Sequence, residues 1–325
     1  MDKNKKRIIA IISVVLLAML SIFYGNLSTE KVSNDSLSEE LNKLVFGEEK
    51  AIKYILQNGD SNNAIQKISI NGEINSEMIN SYSSSSVINQ IKSAAKNDNV
   101  KAILLSVNTP GGGVYESSEL YTELKNSKKD VYVSMKQIAA SGGYYISMAA
   151  KKIFASEETT TGSIGVVMSN VSAQKFLNDH GIVRQKIASG NQKAVGGTFE
   201  TLPEESVKIY QNQVNESYEK FVKIVSEGRK LPLDEVKKLA DGRTYTGMQA
   251  LNNKLIDKIA SEDELIKEII KEKNLSNVQV FEYVKQSVNS SLLSKIVPLF
   301  SKSLADELLK KEQDLTTFKK SYIVE

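Results

Sequence analysis

The chain has no cysteine, no tryptophan, one histidine and four prolines in 325 residues. Without cysteine there can be no disulfide, thiolate nucleophile, iron–sulfur cluster or cysteine-ligated zinc. The single imidazole, His180, excludes any metal site that needs two, so neither a metal nor a cofactor is expected. An excess of one charge sign is also lacking. The formal net charge is +3, and the surplus sits in Met1–Arg7, where Lys3, Lys5, Lys6 and Arg7 face only Asp2. The rest balances at 38 basic and 38 acidic residues, so nothing in the composition drives nucleic-acid binding. What remains is ordinary for a folded protein: 41% hydrophobic and 25% charged residues, with length for one large domain or two small ones.

There is one long apolar run. Ile8–Tyr24 holds seventeen residues without a charge, directly after the basic cluster. As a helix it would span roughly 26 Å, the short end of a bilayer core. Ser21–Thr29 shows no small-x-small cleavage pattern, and a lipoprotein signal would need a cysteine. The expectation is a retained single-pass anchor at 8–24, with 1–7 cytoplasmic and the rest of the chain extracytoplasmic.

Residues 25–64 read as a tether followed by a short helix within Leu41–Leu56, with Asp60–Asn63 as loop. Lys67–Ile74 alternates apolar and polar residues like a strand with one exposed face, and Val87–Ala95 has helical spacing. Lys101–Val107 is a continuous apolar run, expected of a strand covered on both faces. It ends in Pro110-Gly111-Gly112-Gly113 before a helical pattern over Val114–Asn126. Further strands are predicted at Asp130–Met135, Lys152–Ala155 and Ile182–Ala188, and helices at Ser172–His180 and Pro203–Gly228. The last carries Thr201 and Glu204 at capping-box spacing. After Leu231 the pattern is mainly helical, with a late strand near Phe281–Val284. Strands alternating with helices predict an α/β fold with a mostly parallel sheet and flanking helices.

Three segments just beyond predicted strands could carry chemistry, because open α/β sheets place their sites there. The glycine turn at 110–113 offers backbone N–H groups to an anion or oxyanion, or is simply a tight turn. It lacks the lysine of a phosphate-binding loop. Ser141, in Ala140-Ser141-Gly142-Gly143, is a helix N-cap or a nucleophile. The third segment is Gly162-Ser163-Ile164-Gly165. A serine nucleophile needs a base. His180 reads better as a helix C-cap, whereas a desolvated lysine can serve. The residues alone do not choose among Lys151, Lys152, Lys175, Lys186 and Lys193.

The ordered set VNTPGGGVYES, AASGGYYISMAA, TGSIGV, KIASGNQK and ADGRTYTGMQA resembles bacterial signal peptide peptidases of the A type. These are membrane-anchored Ser-Lys proteases with a ClpP/crotonase-like fold. The resemblance covers about 65–275, leaving 276–325 as a C-terminal extension and tail. It implies Ser141 as nucleophile, Lys193 as general base, Ser163 as the serine that orients the lysine amine, and Gly112 and Gly142 as oxyanion-hole donors. It further implies signal-peptide remnants or other apolar peptides as substrates, a homo-oligomeric ring (an octamer in the family's short form) with sites built from adjoining protomers, and a tail able to enter the groove.

Two other readings compete. An acyl-CoA enzyme on the same fold would hold a thioester enolate with the glycine N–H groups and would need neither Ser141 nor Lys193. A membrane-surface resistance or immunity protein would bind or cleave antimicrobial peptides.

Overall fold

A computed structural model describes residues 50–286. The expected basic segment, anchor and tether up to residue 49, and the tail from 287, lie outside the described residues. Strand β3 (Val100–Thr109) is buried along nearly its whole length, as its apolar run requires. It lies between β2 (Asp60–Asn71) and β4 (Asp130–Ala140), parallel to both, with Ile68 opposite Leu105 and Leu105 opposite Val133. Parallel neighbours need crossovers, and two helices supply them: α1 (Val87–Lys96) before β3 and α2 (Val114–Asn126) after it. Helix α1 buries Val87, Ile88, Ile91 and Ala94 and is capped by the Ser86 side chain, which accepts from the Asn89 N–H.

Among the described residues the sheet has nine strands, in the order β1-β9-β2-β3-β4-β5-β8 along its main path. Strands β5 (Lys152–Ala155) and β8 (Lys258–Ile259) continue it in parallel. On the other side β9 (Val278–Gln286) runs parallel to β2 and pairs antiparallel with β1 (Lys50–Gln57). Short β6 (Thr160–Gly162) pairs with the end of β4 and, antiparallel, with β7 (Thr244–Thr246). Five more helices are α3 (Gly142–Ser147), α4 (Gln174–Asp179), α5 (Glu204–Arg229), α6 (Leu233–Leu239) and α7 (Gly247–Asn252).

One sheet face packs Ile68, Ile70, Leu105, Val107 and Val133 against α1, α2 and Phe221 of α5. The other packs Ile65, Leu104, Tyr132 and Phe154 against Leu265 and Ile269 of α8 (Glu262–Glu272). Each such fully buried aliphatic contributes roughly 1.5–3 kcal/mol. Lys67 and Lys136 both pair with Glu262, at 2.7 and 2.6 Å, and fasten the start of α8 to the sheet.

Several expectations need correction. The described part of the helix expected over Leu41–Leu56 is strand β1, because its residues pair with β9 and the alternation Ile52, Tyr54, Leu56 suits a strand. Asp60–Asn63 is the start of β2, not loop, whereas the alternation expected from Lys67 onward holds, with Ile68 and Ile70 buried, Lys67 and Ser69 partly exposed and Asn71 exposed. Strands β1 and β9 join the sheet from either side of 65–275. Ile182–Ala188 is not a strand: among the described residues no strand pairs with it, and its residues are exposed. Helix α5 begins at Glu204 with Pro203 as its cap and no side-chain capping bond, so the Thr201–Glu204 box does not form. Proline supplies the extended cap geometry, and Glu204 and Glu205 complement the first turn.

Candidate active site

The C-terminal ends of β3, β4 and β6 converge, and the three segments singled out by sequence meet there. Strand β4 ends at Ala140, and Ser141 turns the chain into α3 at φ 51° and ψ −119°. That conformation is costly for a residue with a Cβ and is held by the surroundings. The Ser141 N–H donates to the Gly162 carbonyl at 2.8 Å, and its carbonyl accepts from Tyr145 N–H at 2.8 Å. Its side chain makes no capping bond, which removes the N-cap explanation. Ser163 follows β6, also at positive φ (50°), with its N–H donating to the Arg243 carbonyl at 2.8 Å. Below them, Tyr144 is fully buried and donates to the Leu255 carbonyl at 2.8 Å, and burial pushes its phenol up so that it stays protonated.

The glycine turn is shaped by Ile74. The Ile74 N–H donates to the Gly111 carbonyl at 2.8 Å, and the Gly113 N–H donates to the Ile74 carbonyl at 2.9 Å. In this extended bridge the Gly112 N–H points the opposite way. Glycine is required: a Cβ at 112 would lie 2.1 Å from the Ile74 carbonyl oxygen, and one at 111 would lie 2.8 Å from the Gly142 nitrogen. Gly142 is the first residue of α3, where an N–H has no intrahelical acceptor. Two backbone donors therefore flank Ser141.

Ser141, Ser163 and Gly112 line one cavity of about 510 Å³ with Gly165, Val166 and Gly242. Gln211, Asn215 and Tyr218 of α5 and Asp241 close it. The Arg243 side chain, hydrogen-bonded to Asp241, holds that carboxyl down at about 2, so a fixed carboxylate borders the cavity. Sequence reasoning did not single out these four residues. The spacing 211, 215, 218 is helical and marks one face of α5, a signal available in the sequence.

Lys193 is not in that cavity. It sits in an exposed turn at 191–194, and among the described residues its ammonium has no hydrogen bond or ion pair. The other lysines are committed elsewhere. Lys151 and Lys152 pair with Glu272, and Lys152 also with Glu268 at 2.6 Å. Lys175 pairs with Asp179 at 2.7 Å, and Lys186 with Glu200 at 2.7 Å. His180 caps α4, its Nδ1 2.8 Å from the Phe176 carbonyl, as its sequence position suggested. Among the described residues no acidic or imidazole cluster could hold a metal.

Comparison with known proteins agrees with this geometry. The model of peptidase family S49 matches residues 123–276, and that of Clp protease matches 60–161, the stretch from β2 to β6. A putative signal peptide peptidase SppA from Enterococcus faecium is 37% identical over 86% of this chain and 85% of its own. The putative protease slr0021 of Synechocystis is 40% identical over 50% of this chain and 60% of its own. Protease 4 of Haemophilus influenzae is 34% identical over 66% of this chain and 36% of its own. With similarity of that extent along nearly the whole sequence, and a serine flanked by free backbone donors at the sheet's C-terminal edge, the chain belongs to peptidase family S49 and is a serine protease.

Proposed function

We propose that this serine protease is a membrane-anchored endopeptidase with a Ser-Lys dyad, degrading cleaved signal peptides and other apolar peptides outside the cytoplasmic membrane. The observation that carries the reading is the meeting of Ser141, Ser163 and Gly112 in one cavity, with Gly142 beside them. Ser141 Oγ attacks the peptide carbonyl while the Lys193 amine takes its proton. The Gly112 and Gly142 N–H groups hold the developing oxyanion. The tetrahedral intermediate collapses, and the Lys193 ammonium gives its proton to the leaving amine. Water then attacks the acyl-enzyme by the same route. Ser163 orients the lysine amine.

Lys193 lies outside the Ser141 cavity of its own chain. The reading therefore includes a homo-oligomeric ring, an octamer by resemblance, in which a neighbour's Lys193 completes each site. The arm around Lys193 supports it: Val167 is 87% exposed and Ile187 wholly so, and Phe176 and Val183 are also uncovered. Anchoring rests on the apolar run Ile8–Tyr24 and on the relative named a signal peptide peptidase. Among the described residues no helix is long and apolar enough to cross a membrane.

The test is hydrolysis of an apolar fluorogenic peptide by the full chain in detergent, beside Ser141→Ala and Lys193→Ala. Activity in the parent and loss in both folded variants is the expected result. Retention in Lys193→Ala would move the base elsewhere, with Lys186 next. No activity in an assembled parent would turn the reading toward peptide binding.

A further inference from the structure

Away from Ser141 the described residues enclose a larger space, of about 1110 Å³, that shares no lining residue with the Ser141 cavity. Cavities that bury a ligand are typically roughly 300–1,000 Å³. This one opens where two neighbouring strands part. Strand β9 pairs with β2 only as far as Glu282 opposite Lys67. From there β2 runs on to Asn71 beside β3, and β9 runs on to Gln286 beside β1. Ser69 and Asn71 line one bank of the resulting cleft, and Tyr283 and Val284 the other.

The β2 bank presents backbone as well as side chains. The Gly72 N–H donates to the Asn108 carbonyl of β3 at 3.0 Å. Across that planar peptide the Asn71 carbonyl points the opposite way, toward the cleft. Orientation repeats every second residue along a strand, so the backbone groups of Ser69 turn the same way. A sheet edge of this kind is completed by another strand. The two faces of the gap differ in chemistry. Lys67, Ser69, Ser106 and Glu282 lie on the face that α8 covers further along the sheet. On the other face Met78, Val87 and Tyr283 pack against the core beside α1. Gln90 of α1 also lines the cleft and is 7% exposed. Its Nε2 donates to the Ser85 carbonyl at 2.9 Å, while its Oε1 is buried without a hydrogen-bond partner. A buried acceptor left unpaired is costly, so a donor brought into the cleft is favoured. The charges are balanced, Lys67, Lys136 and Lys285 against Glu73, Glu77 and Glu282, and select no ion of one sign.

We infer that this cleft is a second peptide site, remote from the bond being cut, in which an extended segment of a long substrate adds as a strand between β2 and β9. Its alternate side chains are polar toward Lys67 and Ser69 and apolar toward Met78 and Val87. The inference rests on the chain's action on peptides and leaves the chemistry to Ser141.

The test is hydrogen exchange, read by mass spectrometry, on the full Ser141→Ala chain in detergent. Two synthetic peptides of one composition are added, one alternating serine and valine, the other with its valines in a single block. The alternating peptide should slow exchange over 67–72, and the block peptide should not. Proline at 69 removes a cleft-facing N–H and keeps the ladder to β3. Ser69→Pro should therefore weaken binding of the labelled alternating peptide about three- to tenfold in anisotropy, as expected for the loss of one neutral hydrogen bond. A melting curve confirms folding, and Ser69→Tyr, which fills the cleft and leaves the backbone intact, should weaken binding in the same direction. With Ser141 restored, Ser69→Tyr should hydrolyse a short fluorogenic peptide as the parent does. Slowing confined to 110–113 and 141–145, equal effects of the two peptides, or binding unmoved by both substitutions overturns the inference. Slowing over 67–72 that rises with protein concentration alone assigns the cleft to a second copy of the chain and also overturns it. Failure of the peptidase reading has a separate signature: no hydrolysis of the short peptide by the parent.

Discussion

Two regions of this molecule carry the proposed dyad, and they are built in opposite ways. Ser141 stands on the end of β4, one of the most buried strands, with its backbone fixed by Gly162 and Tyr145. Lys193 stands in the excursion between β6 and α5, where the one helix, α4, has six residues and buries none of them. The serine is placed by the core. The lysine is placed by little within its own chain, so its position depends on what covers the exposed apolar residues of the arm. On the proposed reading, nucleophile and oxyanion donors are properties of the fold, whereas the base is a property of the assembly.

The sharpest way to break that comparison is to remove the nucleophile. Ser141→Ala should lower kcat/KM for an apolar peptide by on the order of 10⁴-fold or more, since a serine nucleophile and its base act as a unit. The melting temperature should stay near the parent's, because the side chain makes no capping bond. Next comes the oxyanion turn. Gly112→Ala puts a Cβ 2.1 Å from the Ile74 carbonyl oxygen and should cost about 10²–10³ in kcat with a measurable fall in melting temperature. On the arm the balance reverses. Ile187→Glu changes a wholly exposed side chain, so it should leave thermal unfolding of the isolated protomer unchanged yet reduce the oligomer in sedimentation velocity and activity with it. An unchanged oligomer would remove this patch from the interface.

The smallest expected effect concerns a site remote from catalysis. The Lys151 side chain, hydrogen-bonded to Glu272, holds that carboxyl down at about 2, and the Lys273 side chain likewise lowers Asp130. A carboxylate depressed on folding stabilises the native state above its unfolded value, roughly pH 4.3, and that contribution disappears as pH falls toward 2. Glu272→Gln should therefore lower the melting temperature by about 2 to 4 °C at pH 7 and by less near pH 2. A decrement constant with pH would assign the loss to packing instead.

The same contrast sets how much could be read from the sequence. The parallel core was legible because Lys101–Val107 is too continuously apolar for anything but a covered strand, and Val114–Asn126 keeps helical period to its last residue. The serine and glycine segments were legible as candidates because tight turns beyond strands need those residues locally. Strand β1 was not, because its pairing with β9 is set by a contact more than 200 residues away in sequence. Ile182–Ala188 looked like a strand because Ile182, Val183 and Ile187 are apolar, but periodicity cannot say whether a partner strand exists. The ranking of Lys193 over the other lysines came from family resemblance, since nothing local sets it apart.

The measurement closest to the central claim is subunit complementation. Ser141→Ala and Lys193→Ala chains, each inactive alone, are co-assembled in equal amounts in detergent and assayed on the apolar peptide. If each site joins Ser141 of one protomer to Lys193 of the next, about one site in four regains both residues, and roughly a quarter of parent activity should return. Co-assembled rings that stay inactive would contradict the account, placing base and nucleophile in the same chain.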